Sequence, residues 1–210
     1  SVYVQTLRTG ARDQVSARAG INGAPVFSPD GRKLMLTLSM GSGNLDIYIL
    51  DLAGQVLTRM TRDPAIDTEA VFSPDGETIY FTSDRSGGPQ IYKVANRPGA
   101  RAQRVTFEGN YNARPRISPS GNELAVVHEA QGLFRIAVVD PLTGLTQVLT
   151  NGNLDESPSF APNGAQIIYA TRERGRGVLA SVSADGRIRR QIVSAGGDVR
   201  EPVWSPFPRI

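Results

Sequence analysis

Residues 70–76 read Ala-Val-Phe-Ser-Pro-Asp-Gly, and the chain returns to that phrase four more times. The copies are Ala24-Pro25-Val26-Phe27-Ser28-Pro29-Asp30-Gly31, Arg116-Ile117-Ser118-Pro119-Ser120-Gly121, Ser159-Phe160-Ala161-Pro162-Asn163-Gly164 and Pro202-Val203-Trp204-Ser205-Pro206-Phe207. Their prolines, Pro29, Pro74, Pro119, Pro162 and Pro206, stand 45, 45, 43 and 44 residues apart. A repeat of this length belongs to propellers or solenoids.

The intervals decide between the two. Each phrase is followed by an apolar run: Lys33 to Leu38, Thr78 to Thr82, Glu123 to Val127 and Gln166 to Ala170. A Gly-rich break leads to a second run (Leu45 to Leu52, Gln90 to Ala95, Leu133 to Asp140, Val178 to Ser183) and then to a third near Val56, Arg104, Gln147 and Arg189. The runs are short and rich in Val, Ile, Tyr and Thr, and none has the 3.6-residue spacing of a helix. Counting the phrase itself, each repeat supplies four strands. Four antiparallel strands in about 45 residues are the blade of a β-propeller, so the fold expected is all-β. Ser-Pro-Asp-Gly is the hairpin corner of that blade: proline fixes φ at the first corner, aspartate suits the second, and glycine accepts the angle that leaves the turn.

Two strands, about Val2 to Leu7 and Ala11 to Ser16, precede the first phrase, and the last phrase brings only a first strand. The repeats therefore divide as a partial blade 1–23, blades 24–68, 69–112, 113–156 and 157–200, and a partial blade 201–210. A propeller closes by pairing strands from both chain ends, since an open ring exposes sheet edges. Two arrangements fit: part of a six-bladed ring with four complete and two partial blades, or an irregular fifth blade in which Val2 to Leu7 pairs beside Val203 to Ser205.

Composition narrows the chemistry. Apolar residues at 40% and charged ones at 20% suit a globular chain. The absence of cysteine excludes disulfide and thiolate chemistry. No run reaches the length of a membrane span, so direct membrane insertion is not expected, and Ser1-Val2-Tyr3-Val4 is no signal peptide; the sequence reads as cytosolic, or as processed or trimmed. Lys33 and Lys93 are the only lysines among 23 basic residues. The densest arginine clusters, 172–176 and 187–190, form no continuous basic stripe with interleaved aromatics, which excludes nucleic acid as a partner. No Gly-x-Ser-x-Gly, Gly-x4-Gly-Lys-Ser/Thr or His-Glu-x-x-His motif is present, so no enzyme is expected. The single histidine, His128, ends an apolar run and reads as structural.

Particular residues add a resemblance. Asn22-Gly23-Ala24-Pro25, the phrase 27–31, Ser83-Asp84-Arg85, Pro89-Gln90-Ile91-Tyr92-Lys93-Val94, Leu154-Asp155-Glu156-Ser157-Pro158, Ala161-Pro162-Asn163-Gly164 and Glu201-Pro202-Val203-Trp204-Ser205-Pro206 occur in an order similar to that of the TolB propeller family. That resemblance implies a six-bladed parent preceded by a small α/β domain, a periplasmic location in Gram-negative bacteria, and a role in the Tol–Pal envelope system, supporting outer-membrane integrity and cell division. It also implies the partners: the lipoprotein Pal, colicin translocation segments that mimic it, and other Tol proteins.

The segments that lead into the innermost strands converge on one mouth of a propeller's channel. Here they supply Asn22, Ala24, Asp67, Thr68, Glu69, Asn112, Arg114, Asp155, Glu156, Arg200 and Glu201 as candidate protein-binding residues. A ring of carboxylates there is expected to set up a negative field. Asp67, Glu69, Asp155, Glu156 and Glu201 also offer oxygens to a hard cation such as calcium, although no cofactor is required. The first functional expectation is a binding module docking Pal at this mouth. The second is the regulatory propeller of a serine peptidase. A quinone- or sugar-binding enzyme propeller lacks the His-rich mouth it needs.

Overall fold

The computed structural model describes residues 1–40, 43–192 and 197–205. Eighteen strands and no helix occur among them. Strands β1 (Val2–Gln5) and β2 (Arg12–Ser16) form a two-stranded sheet, followed by four four-stranded sheets. The first comprises β3 (Asn22–Phe27), β4 (Lys33–Ser39), β5 (Leu45–Asp51) and β6 (Leu57–Arg59). The second comprises β7 (Asp67–Phe72), β8 (Thr78–Ser83), β9 (Gln90–Ala95) and β10 (Gln103–Arg104). The third has β11 (Tyr111–Ile117), β12 (Leu124–Ala130), β13 (Leu133–Val139) and β14 (Thr146–Val148), and the fourth β15 (Glu156–Phe160), β16 (Gln166–Glu173), β17 (Arg176–Ser183) and β18 (Arg189–Ile192). Within each sheet the chain runs outward through consecutive antiparallel hairpins, then returns to the inside to begin the next.

Alternation along the strands explains why the sheets stack face to face. Leu34, Leu36 and Leu38 of β4 pack toward Val2 of the two-stranded sheet, whereas Met35 joins Ile47 and Ile49 against Ala70, Phe72, Ile79 and Phe81 of the second sheet. Tyr80 and Ile91, on the opposite face of that sheet, meet Leu124, Val126, Ala137 and Val139. Ala125, Val127 and Ile136 in turn meet Phe160, Ile167, Tyr169 and Ala180. Sheets covered on both faces produce nearly continuous apolar runs. Each large side chain so buried contributes on the order of 1.5–3 kcal/mol.

The recurring corner behaves as its sequence predicts. Ser73 Oγ accepts from the Thr78 amide and donates to Asp75, whose carboxylate also accepts from the Glu77 amide. The Ser73 hydrogen bond, then that amide, hold the Asp75 carboxyl below the usual range. Gly76 closes the turn at φ +76°, a backbone region that disfavours a Cβ. The Ser28 corner repeats the pattern.

A second repeated device was not anticipated. Thr61, Thr106 and Thr150 follow the outermost strands, and their hydroxyls accept the amides of Ile47, Ile91 and Ile136 at 2.9–3.0 Å. These threonines peg the outer edge of a sheet to its third strand.

The fifth phrase departs from expectation. Residues 201–205 form no strand, although the Trp204 amide reaches Ser159 Oγ at 3.2 Å. A first strand needs a second to pair with, and residues 201–205 have no such neighbour among the described residues; Pro206 and Phe207 lie outside them. Val2–Gln5 pairs with Arg12–Ser16, and among the described residues it forms no pairing beside 203–205 of the kind an irregular fifth blade needs.

His128 is structural. It is buried on β12, with Nδ1 2.9 Å from Asn112 Oδ1. Asn112 Nδ2 donates to Gln90 Oε1 and to the Glu108 carbonyl, which leaves Oδ1 as the acceptor and fixes the Nδ1–H tautomer of the imidazole. Thr106 Oγ1 also donates to Gln90, so the chain from Thr106 to His128 joins the second sheet to the third. Replacing Thr106 by valine, which has the same shape, orphans the buried Ile91 amide; the expected cost is about 1–3 kcal/mol, read from urea unfolding midpoints.

Burial is the main cause that pushes the His128 pKa below its ordinary value, against the opposing pull of Glu108 and Glu129. The unfolded chain then takes up its proton first as pH falls. Stability from this group is complete above about pH 6.5 and is lost as pH falls through the lower folded-state pKa. Thermal midpoints measured from pH 7.5 downward should show that loss, and His128→Gln should flatten it in the same window.

Candidate functional site

The innermost strands β3, β7, β11 and β15 each carry a register shift at the same place: between Gly23 and Val26, Thr68 and Val71, Ala113 and Arg116, and Glu156 and Ser159. The bulged residues have left-handed backbone, with φ of 47° at Ala24, 53° at Glu69, 56° at Arg114 and 57° at Ser157. Glu201, at the same place in the fifth phrase, has φ 52° although it lies in no strand. An L-residue there costs roughly 1–2 kcal/mol. A bulge re-aims the side chain, and all five of these residues line one channel of about 400 Å³.

Arg114 organises the channel. Its Nε lies 3.0 Å from Glu69 Oε1, and its Nη1 lies 2.7 Å from Ser157 Oγ and 3.7 Å from Glu201 Oε1. One guanidinium thus ties together side chains from three other repeats. Arg116, two residues further along β11, also lines the channel. Burial first of all lowers its pKa, while Glu69 and Glu201 oppose that shift. The expected ring of carboxylates is therefore replaced by a mixed lining of two arginines and two glutamates, and Arg114 holds both acids.

The other candidate residues divide by accessibility. Asp67 is fully buried; Arg85 Nη2 donates to both of its oxygens at 2.9 Å, and the same guanidinium stacks 4.8 Å from the Tyr92 ring centroid. Burial raises the Asp67 pKa, against hydrogen bonds from Ser83 and Arg85. Asn112 is committed to the His128 network. Asn22 is half-buried; its Oδ1 accepts from Ser16 Oγ and the Arg18 amide, and its Nδ2 donates to the Arg18 and Gly20 carbonyls. Asp155 is buried against Gly152, whose amide donates to Oδ2. These four occupy one position of the repeat and anchor the start of each innermost strand. Thr68 and Glu156 are half-buried beside the bulge, with Thr68 Oγ1 3.5 Å from Thr37 Oγ1. Arg200 is exposed and pairs with Asp198 at 3.5 Å.

The calcium reading is not supported by this geometry. Among the described residues no three acidic or imidazole groups come together to hold a metal. Asp67 is spent on Arg85, and Glu69 and Glu201 on Arg114. Sequence reasoning also missed Arg116. Its signal was available, because the equivalent slot of the phrase holds Val26, Val71, Ser159 and Val203 in the other copies.

Known proteins share this architecture. A crystal structure of TolB from Acinetobacter baumannii superposes with a TM-score of 0.89 at 47% identity, covering 97% of this chain and 51% of that one. A putative TolB from Agrobacterium tumefaciens gives 0.85 at 23% identity over 96% of this chain and 72% of that one, which speaks to fold alone. The Tol-Pal system protein TolB of Xanthomonas campestris pv. campestris (strain B100) is 54% identical over 111 residues, 52% of this chain and 25% of the relative. The chain thus spans about a quarter of the length of the curated relatives it matches. The model of the TolB β-propeller domain matches residues 1–208, and the chain belongs to that family.

Proposed function

We propose that this chain is a non-enzymatic, periplasmic protein-binding propeller of the Tol–Pal system that docks the lipoprotein Pal at the mouth of its channel. Colicin translocation segments would use the same surface. The sheets form part of a six-bladed ring, with four complete blades and two partial ones. The observation that carries the reading is the coincidence of five left-handed residues at one channel, with Glu69, Arg114 and Glu201 reaching into it from three repeats. Strained backbone kept at one place in every copy holds side chains in a fixed array, and a fixed array suits recognition of a partner segment with little ordering cost. Membership of the TolB family supports the system, and the relative that is 54% identical to this chain over 111 residues is itself a Tol-Pal system protein. Nothing observed favours the regulatory domain of a serine peptidase.

Thr68 and Glu69 test the assignment. Converting both to lysine reverses the charge at the rim and breaks the 3.0 Å pair with Arg114. Pal affinity measured by calorimetry should fall at least about tenfold, equivalent to about 1.4 kcal/mol, with the thermal midpoint as the control for folding. Unchanged affinity in a folded double variant removes the channel mouth as the docking site.

A further inference from the structure

Among the described residues, one cation that lines the channel, Arg116, has no carboxylate within ion-pair distance. Arg116 follows the bulge of β11, in register with Ala125, and its counterparts Val26, Val71 and Ser159 pair in the same way with Met35, Tyr80 and Ile168. At this level of the channel the repeats supply valine, valine, arginine and serine, and Val203 holds the slot in the fifth copy. Arg116 is therefore a lone charge in a layer that is otherwise apolar or neutral. It is half-buried, and its one hydrogen bond among the described residues runs from Nη1 to the Pro115 carbonyl at 2.9 Å. No carboxylate lies within ion-pair distance of it among those residues. The two acids nearest the site, Glu69 and Glu201, are drawn to Arg114 instead.

A guanidinium presents five N–H donors in a planar fork that matches a carboxylate or phosphate, and desolvating it without a partner is costly. The space in front of it is open, since Arg116 lines the channel of about 400 Å³ together with Val26 and Val203. Arg114 contributes by holding two glutamates that would otherwise repel an anion. We propose that Arg116 is an oxyanion subsite in the channel, binding one carboxylate-like group. The inference rests on the docking reading only for the source of that group: an acidic side chain or chain terminus of the docked segment, as against a free small anion.

Inorganic phosphate and acetate, titrated into the full chain without Pal, are the probes. The ¹⁵N resonance of Arg116 Nε should shift saturably, beyond the response to sodium chloride at matched ionic strength, and Arg116→Gln should weaken phosphate binding at least tenfold. Absence of a saturable shift in the unmodified protein overturns the subsite whatever the folding of the variant, and leaves Pal docking untouched. Equal phosphate affinity in a folded Arg116→Gln protein overturns it as well. Pal binding then separates the sources. A tenfold or greater loss of Pal affinity in saturating phosphate and in Arg116→Gln assigns the carboxylate to the partner; unaltered Pal affinity beside an intact phosphate response assigns the subsite to a free anion.

Discussion

Sheets with two apolar faces have to be covered twice. In β4 both faces are buried from Leu34 to Ser39: Leu34, Leu36 and Leu38 on one side, Met35 with Thr37 and Ser39 on the other. The same holds for β8, where Phe81 faces one neighbour and Tyr80 the next. Two-sided burial accounts for the repeat itself, because each sheet becomes the cover for the one before it. Hydrogen bonds within a sheet are local, so the order of sheets is enforced almost entirely by these interfaces. The corners and threonine pegs then finish each sheet separately, by satisfying the amides that short strands leave over.

From this stacking follows the geometry of the channel. Innermost strands lie side by side, β3 against β7, β7 against β11 and β11 against β15, so one residue from each copy can meet at one place. The bulge supplies that residue. A regular strand would alternate its side chains between the two neighbouring interfaces, both of which are apolar; the left-handed residue breaks the alternation and turns one side chain toward the channel. Strain in the backbone is thereby exchanged for polar groups that need not enter a core. Arg114 illustrates the result, since it meets Glu69, Ser157 and Glu201 without crossing any hydrophobic cluster.

Much of this was legible in the sequence, for reasons that differ from element to element. Proline, aspartate and glycine encode the corner chemically, and a 43–45-residue period is long enough to identify a four-stranded unit. The bulge was not legible: Ala24, Glu69, Arg114, Ser157 and Glu201 share no side-chain chemistry that would mark their common left-handed backbone. Of the residues expected at the mouth, Ala24, Glu69, Arg114 and Glu201 line the channel, while the direction of the others was not legible. One residue separates buried Asp67 from half-buried Thr68, and a period-2 argument fails where the register shifts. The threonine pegs recur in the sequence at Thr61, Thr106 and Thr150, and were overlooked because threonine is ordinary in strands.

The position shared by Asn22, Asp67, Asn112 and Asp155 shows how much freedom such a scaffold leaves. Each anchors the start of an innermost strand, and each does so with different partners: Ser16 and the Arg18 backbone, Arg85, Gln90 with His128, and the Gly152 amide. The place that Arg85 occupies in the second sheet is held by Glu173 in the fourth, and Asp155 Oδ1 is buried with no hydrogen-bond partner among the described residues. A lone buried carboxylate oxygen is costly in most folds. Here the Asp155 amide donates to the Phe134 carbonyl, and the apolar packing of the third and fourth sheets holds around the site whatever partner the carboxylate finds. The same independence lets a single copy place a charge at Arg116 where its counterparts keep valine or serine. Repetition fixes where a side chain sits in such a ring, while its chemistry is free to change copy by copy.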